Sequence, residues 1–163
     1  MLTFDAMWVR AEFVYREYID RIVGLVDTGT RHVGRSGARC TGEEGDPANL
    51  LLVFMLRSIF REWKQVIGYA LIRRGSEMPH TQRLLMDALR RSSDIGANVV
   101  AIVCDMDTSQ QQLASRLGVS AEHPFFEHPA TGQPVYFLFD PPHLFKCLRN
   151  NLSNFNIGFA AGT

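Results

Sequence analysis

Three aspartates stand in this chain where aspartate is costly. Asp5 interrupts the apolar run "LTFDAM", Asp105 closes "NVVAIVCD", and Asp140 closes "PVYFLFD". An ionised carboxylate in or against an apolar run needs a partner, a metal or solvent. If the three runs lie side by side, the carboxylates converge and repel, and a hard divalent cation such as Mg2+ or Mn2+ relieves that repulsion by accepting oxygen ligands. Two such ions held roughly 3.5–4 Å apart activate a water or hydroxyl and stabilise the leaving oxygen of a phosphodiester. The chemistry this pattern points to is phosphoryl transfer on nucleic acid.

Each aspartate also has an ordinary structural reading. Asp140 followed by Pro141 is the pattern of a helix N-cap with proline at the first helical position. Asp105 can be a solvated strand end, with Asp107, Thr108 or Ser109 capping the next helix. Asp5 can point outward from an edge strand. Other candidates carry less. His123 and His128 flank the turn-rich "PFFEHPATGQP", and no Cys or further His completes a zinc sphere there. His143 either orients Asp140, touches a phosphate, or is a first-turn helix residue in contact with water. Lys146 and Arg149, three apart, share one helix face that either meets solvent or a DNA backbone. The chain has no G-x-x-x-x-G-K-[ST] or G-x-G-x-x-G stretch to cradle a nucleotide.

The elements that must position these residues can be read in order. "LTFDAMWVR" (2–10), "EFVYREY" (12–18) and "RIVGLVD" (21–27) are short aromatic and β-branched runs whose close spacing predicts antiparallel hairpins. Residues 27–49, rich in Gly, Arg, Thr and Glu, read as a long exposed loop. "NLLLVFMLRSI" (49–59) reads as a strand, while "WKQVIGYALIR" (63–73) fits a strand or a buried helix. "HTQRLLMDALRRSSDIG" has helical period, with Thr81 available as a cap and Gly96 past the end. "NVVAIVCD" is a central strand, "TSQQQLASRLG" a second helix ended by Gly118, and "PVYFLFD" another buried strand. A meander followed by β-α-β units predicts an α/β fold with a mixed, ribonuclease H-like sheet and flanking helices. In such sheets chemistry collects at strand ends.

Composition bounds the rest. With 163 residues, 46% hydrophobic and 21% charged, the chain has room for one ordinary domain with a core. Seventeen basic residues cancel seventeen acidic ones, so contact with DNA would have to be local or metal-assisted. Cys40, Cys104 and Cys147 are odd in number and widely spaced, the pattern of reduced thiols. Neither a signal peptide nor a run long enough to span a bilayer is present, which sets the expectation of a cytoplasmic or nuclear protein without a membrane partner. Both ends look cut, and the chain is expected to be a piece of a longer protein.

The segments "TFDAM", "RIVGLVDTG", "LVFMLRSIFREWKQVIGYAL", "NVVAIVCDMDTSQQQLASRLGV" and above all "FDPPHLFKCLRNNL" together resemble the ribonuclease H-like domain of P-element-type DNA transposases, including their domesticated relatives with a THAP zinc finger. The resemblance runs over nearly the whole chain. It implies cut-and-paste transposition in the nucleus, with acidic residues and Mg2+ driving hydrolysis and strand transfer on transposon-end DNA, and self-association of the full-length protein. Asp5 matches the first catalytic, metal-binding aspartate and Asp105 the second. Asp140, in D-P-P-H-L, matches a landmark where the central strand meets the next helix, its role open between cap, active-site neighbour and ligand. The expected domain covers residues 1–150, with 151–163 opening a truncated downstream region. Two departures bear on activity: Ala6 stands where the family often has a second acid, and the family's third acid, a glutamate, lies beyond a GTP-binding insertion that is not within this chain. The expectation is therefore metal binding without strand transfer by these residues alone. The alternative is a non-catalytic scaffold for protein or DNA contacts. A nuclease of the same topology would take Asp107 or Asp140 as its third carboxylate.

Overall fold

The computed structural model describes residues 1–27, 47–74 and 77–154. In chain order its elements are β1 (Leu2–Trp8), β2 (Val14–Arg16), a 3-10 turn (Glu17–Ile19), β3 (Arg21–Val23), β4 (Leu50–Arg57), β5 (Lys64–Ile72), α1 (Glu77–Asp94), β6 (Ala101–Cys104), α2 (Thr108–Arg116), β7 (Phe125–Glu127), β8 (Pro134–Phe139) and α3 (Pro141–Asn154). Six strands form one sheet in the order β5-β4-β1-β6-β8-β7. The β5-β4-β1 side is antiparallel, β1-β6-β8 is parallel, and β7 closes the far edge antiparallel to β8. This is the mixed α/β sheet that the order of sequence signals predicts.

Alternation decides which face is covered. Leu2 and Phe4 of β1, Leu50, Leu52, Phe54 and Leu56 of β4, and Val135 and Phe137 of β8 are all buried on one face. There they join Leu85 and Leu89 of α1 and Leu113 and Ala114 of α2 in one core cluster. Fully burying a leucine stabilises by about 1.5–3 kcal/mol, so this single face supplies most of the driving force for folding. The opposite face, with Met7, Tyr69, Tyr136 and Leu138, is largely exposed.

The expected antiparallel meander of the three N-terminal runs is corrected. β1 pairs with β4 over seven positions, from Leu2↔Leu56 to Trp8↔Leu50, while β2 and β3 form a separate two-stranded ribbon. Burial is the reason: β4 offers β1 an apolar residue at every second position, whereas β2 buries none of its residues. Residues 64–72, open between helix and strand in the sequence, form β5 and pair with β4 across a bulge at Phe54/Met55. Thr81 does not cap α1. The helix starts at Glu77 with Pro79 in its first turn, where a missing N–H costs nothing, and Thr81 is buried one turn further on. The stretch read as a polar loop after α2 contains β7. The expected loop over 27–49 falls mostly outside the described residues, as do Cys40 and 155–163. No helix among the described residues is long and apolar enough to cross a membrane.

Candidate active site

The parallel half of the sheet brings the three aspartates together. β1 and β6 are in register at Leu2↔Ile102 and Thr3↔Val103, and β6 and β8 at Val103↔Leu138 and Cys104↔Phe139. Carried past the last of these pairs, the same registers bring Asp5, Asp105 and Asp140 into one row across three adjacent strands. The Asp140 amide donates to the Cys104 carbonyl at 2.9 Å, so the pairing does continue past the strand end. Adjacent strands lie about 4.8 Å apart. By alternation, all three positions fall on the face opposite the core.

Asp105 occupies the centre of the row and shows the strain of that position. Its carboxyl is raised above the ordinary carboxylate range, first by burial and next by the Asp5 charge. His143 opposes the shift, while Asp140 and Asp107 add to it. His143 Nδ1 lies 3.2 Å from Asp105 Oδ2, both side chains being about one-third exposed. Asp5 is exposed at the middle of β1, and its Oδ1 accepts from the Ala6 amide at 2.8 Å. Asp140 is half-buried, and its carbonyl accepts from the Leu144 amide at 3.0 Å, the first bond of α3. It thus stands at the N-cap position and beside the row at once.

The donor chemistry fits a hard cation better than a soft one. Among the described residues no three His, Cys, Asp or Glu side chains form a ready-made ligand set. Mg2+ commonly makes do with one or two carboxylates and fills its sphere with water and substrate phosphates. Asp5 and Asp105, oxygen donors that repel each other at a solvent-accessible surface, meet that requirement.

The neighbouring candidates have structural work. Asp107 caps α2, its Oδ1 accepting from the amides of Ser109 at 2.8 Å and Gln110 at 3.1 Å. Cys104 is buried, and its thiol is pushed up to about 12 by burial and then by Asp105, Asp107 and Asp5, which keeps it protonated and inert. His128 is buried with Nδ1 accepting from the amides of Ala130 at 3.1 Å and Thr131 at 3.3 Å, a turn-holding role. His123 packs near Phe125 with ring centroids 6.4 Å apart. Lys146 and Arg149 are both exposed on α3, Arg149 reaching the side chain of Asn150. The contact that sequence reasoning missed is His143 with Asp105. A signal for it existed: His143 is the third helical residue after the Asp140 cap, and side chains there reach back toward the strand ends.

A family model described as "TNP-like, RNase H N-terminal domain" matches residues 1–118, which include Asp5 and Asp105. The Transposable element P transposase of Drosophila melanogaster is 30% identical over 152 residues, covering 93% of this chain and 17% of that protein. The DNA transposase THAP9 of Homo sapiens is 30% identical over 118 residues, covering 69% of this chain and 13% of that protein. Among solved structures, the Drosophila P element transposase strand transfer complex matches with a TM-score of 0.69 at 28% identity, over 92% of this chain and 28% of that one. The chain therefore spans less than one-fifth of the length of these curated relatives.

Proposed function

Because the chain belongs to the TNP-like RNase H N-terminal domain family, the transposase lineage of P-element type, we propose that it supplies the first two carboxylates of a metal-dependent phosphoryl-transfer site acting on transposon-end DNA. One observation carries this reading: Asp5, Asp105 and Asp140 share a row on three adjacent parallel strands, and the central carboxyl is held above its ordinary range by burial and by its neighbours. Groups perturbed in this way concentrate at functional sites. Asp5 and Asp105 would hold Mg2+ or Mn2+. When bound, such a cation activates the attacking oxygen and stabilises the leaving one in hydrolysis and strand transfer. His143 fixes the orientation of the Asp105 carboxylate and lowers the cost of its charge. Asp140 sets the end of the third strand and adds negative potential that favours a cation. The row lies on an open face, accessible to a polymer backbone, as a DNA substrate requires. Action on chromosomal DNA would put the protein in the nucleus, and self-association is part of the same proposal.

A second reading, a non-catalytic scaffold for protein or DNA contacts, draws on the absence of a three-ligand set among the described residues. A Mn2+ titration followed by thermal unfolding separates the two. A ligand that binds only the folded state stabilises it by about 2.7 kcal/mol at one hundred times its dissociation constant. The enzyme reading expects that rise in the wild type and its loss in both Asp5→Asn and Asp105→Asn. A well-folded wild type whose melting ignores Mn2+ would leave the scaffold.

A further inference from the structure

The turn between β4 and β5 presents an arrangement that the fold does not use. Phe60 at its tip is 94% exposed, and Ile59 and Trp63 beside it are about half exposed. The turn is tied to itself: the Ser58 amide donates to the Trp63 carbonyl at 3.1 Å, and the Arg61 amide donates to Ser58 Oγ at 3.0 Å. Phe60 is therefore held out on an ordered frame. Leaving such a ring in water forgoes the stabilisation that burial would give it.

The charges around the tip are also unresolved within the protein. Arg57 and Lys64 are direct cross-strand partners at the last pair of the β4-β5 ladder. Like charges directly opposite each other destabilise an antiparallel pair. Arg61 adds a third cation in the turn, and among the described residues none of the three has a carboxylate within ion-pair distance. Glu62, exposed in the same turn, forms no ion pair with any of them, so three cations against one carboxylate leave a local charge of about +2 around an exposed aromatic ring in a chain with no net charge. The hairpin lies at the end of β1 where Leu2 pairs with Leu56, away from the carboxylate row; Asp5 pairs with Val53, four residues or about 13 Å along β4 from Arg57.

We propose that this hairpin is a second, metal-independent nucleic-acid contact, in which Arg57, Arg61 and Lys64 neutralise backbone phosphates and Phe60 stacks on an unpaired base. The proposal rests on the reading above only in taking DNA as the polymer. A polyanion relieves the Arg57-Lys64 repulsion, and a base face covers the ring, so one ligand answers both features. Stacking on an aromatic platform within a basic surface is how single strands are held without sequence preference. An acidic protein surface would answer the charges but leave the ring without a flat partner.

The test is binding of a fluorescent single-stranded oligonucleotide to the whole chain in EDTA, across a range of salt, with thermal melts confirming that each variant is folded. Phe60→Ala should weaken binding about five-fold or more with the salt dependence unchanged, and Phe60→Tyr should restore it. The triple variant Arg57→Ala, Arg61→Ala, Lys64→Ala should flatten the slope of log affinity against log salt by about 2, from roughly 0.7 per phosphate contact. Wild-type affinity in both folded variants would overturn the proposal, as would no binding by the wild type. Sedimentation that shows the same substitutions abolishing self-association would also overturn it, marking a protein contact instead. The Mn2+ melts probe the carboxylates alone, so an intact metal response with a silent hairpin sinks only this inference.

Discussion

At the scale of single residues, the central aspartate costs the fold stability. The folded state holds the Asp105 carboxyl above its ordinary value of 3.8, through burial first and the Asp5 charge second. A carboxyl raised in this way binds its proton more tightly folded than unfolded, so the contribution of Asp105 to stability is greatest in acid and falls as pH rises through and above 3.8. Asp105→Asn removes the charge that pays this penalty. In metal-free buffer at neutral pH the variant should melt at or above the wild type, by less than ~1 kcal/mol because the group is partly solvated and loses its His143 contact. The gap should close in acid, where wild-type Asp105 is protonated in both states. A variant clearly less stable at neutral pH would mean that the His143 pair outweighs the repulsion. Much of this site was legible in the sequence, because an aspartate at the end of an apolar run stands out whichever strands are neighbours. The shared row was not legible, since it depends on the β1-β6 and β6-β8 registers, which only tertiary pairing sets. The His143 partner was legible only in part: its place in the first turn says that it reaches back to the strand ends, but "DPPH" sets it beside Asp140 in sequence while the fold turns it to Asp105.

At the scale of elements, α2 is held against the site by its ends. Asp107 caps its first turn, and at the other end Gly118, with φ of +76°, lets the Val119 amide return to the Ala114 carbonyl at 3.0 Å. Asp107→Ala leaves the Ser109 and Gln110 amides without that acceptor and should cost about 1 kcal/mol. Removing one charge that pushes Asp105 upward offsets a little of it. Urea unfolding should show a lower midpoint with an unchanged slope, the mark of lost stability without a change in the surface exposed. Periodicity found α1, α2 and the central strands because each has a buried stripe, as Leu85 and Leu89 do in α1 and Leu113 does in α2. It failed where no stripe exists. Residues 12–27 look like strands by composition, yet their aromatic residues stay exposed, β2 and β3 pair only with each other, and the rest of the segment makes just single bridges, Leu25 to Pro47 and Asp27 to Leu71. β7, three residues long, is too short to show a period.

At the scale of the whole molecule, the sheet is two-faced, and its two faces should respond differently to the same kind of substitution. Leu85 and Leu89 are completely buried between α1 and the covered face. Truncating either to alanine removes contacts on every side and leaves a cavity, a loss of about 2–5 kcal/mol. In a chain of this size each kcal/mol moves the melting temperature by about 2–4 °C, so Leu85→Ala should lower it by at least about 4 °C. Leu138, on β8 between its buried neighbours Phe137 and Phe139's half-buried ring, points to the open face and is 47% exposed. It has already forgone about half of the transfer energy that burial would give, and solvent fills the space that truncation leaves. Leu138→Ala should therefore lower the melting temperature by less than about half as much as Leu85→Ala. Thermal melts of the two variants side by side measure the asymmetry. Equal losses would mean that the face carrying Asp5, Asp105 and Asp140 is packed in solution, and a packed face would deny the carboxylate row the access to a polymer that the proposed chemistry requires.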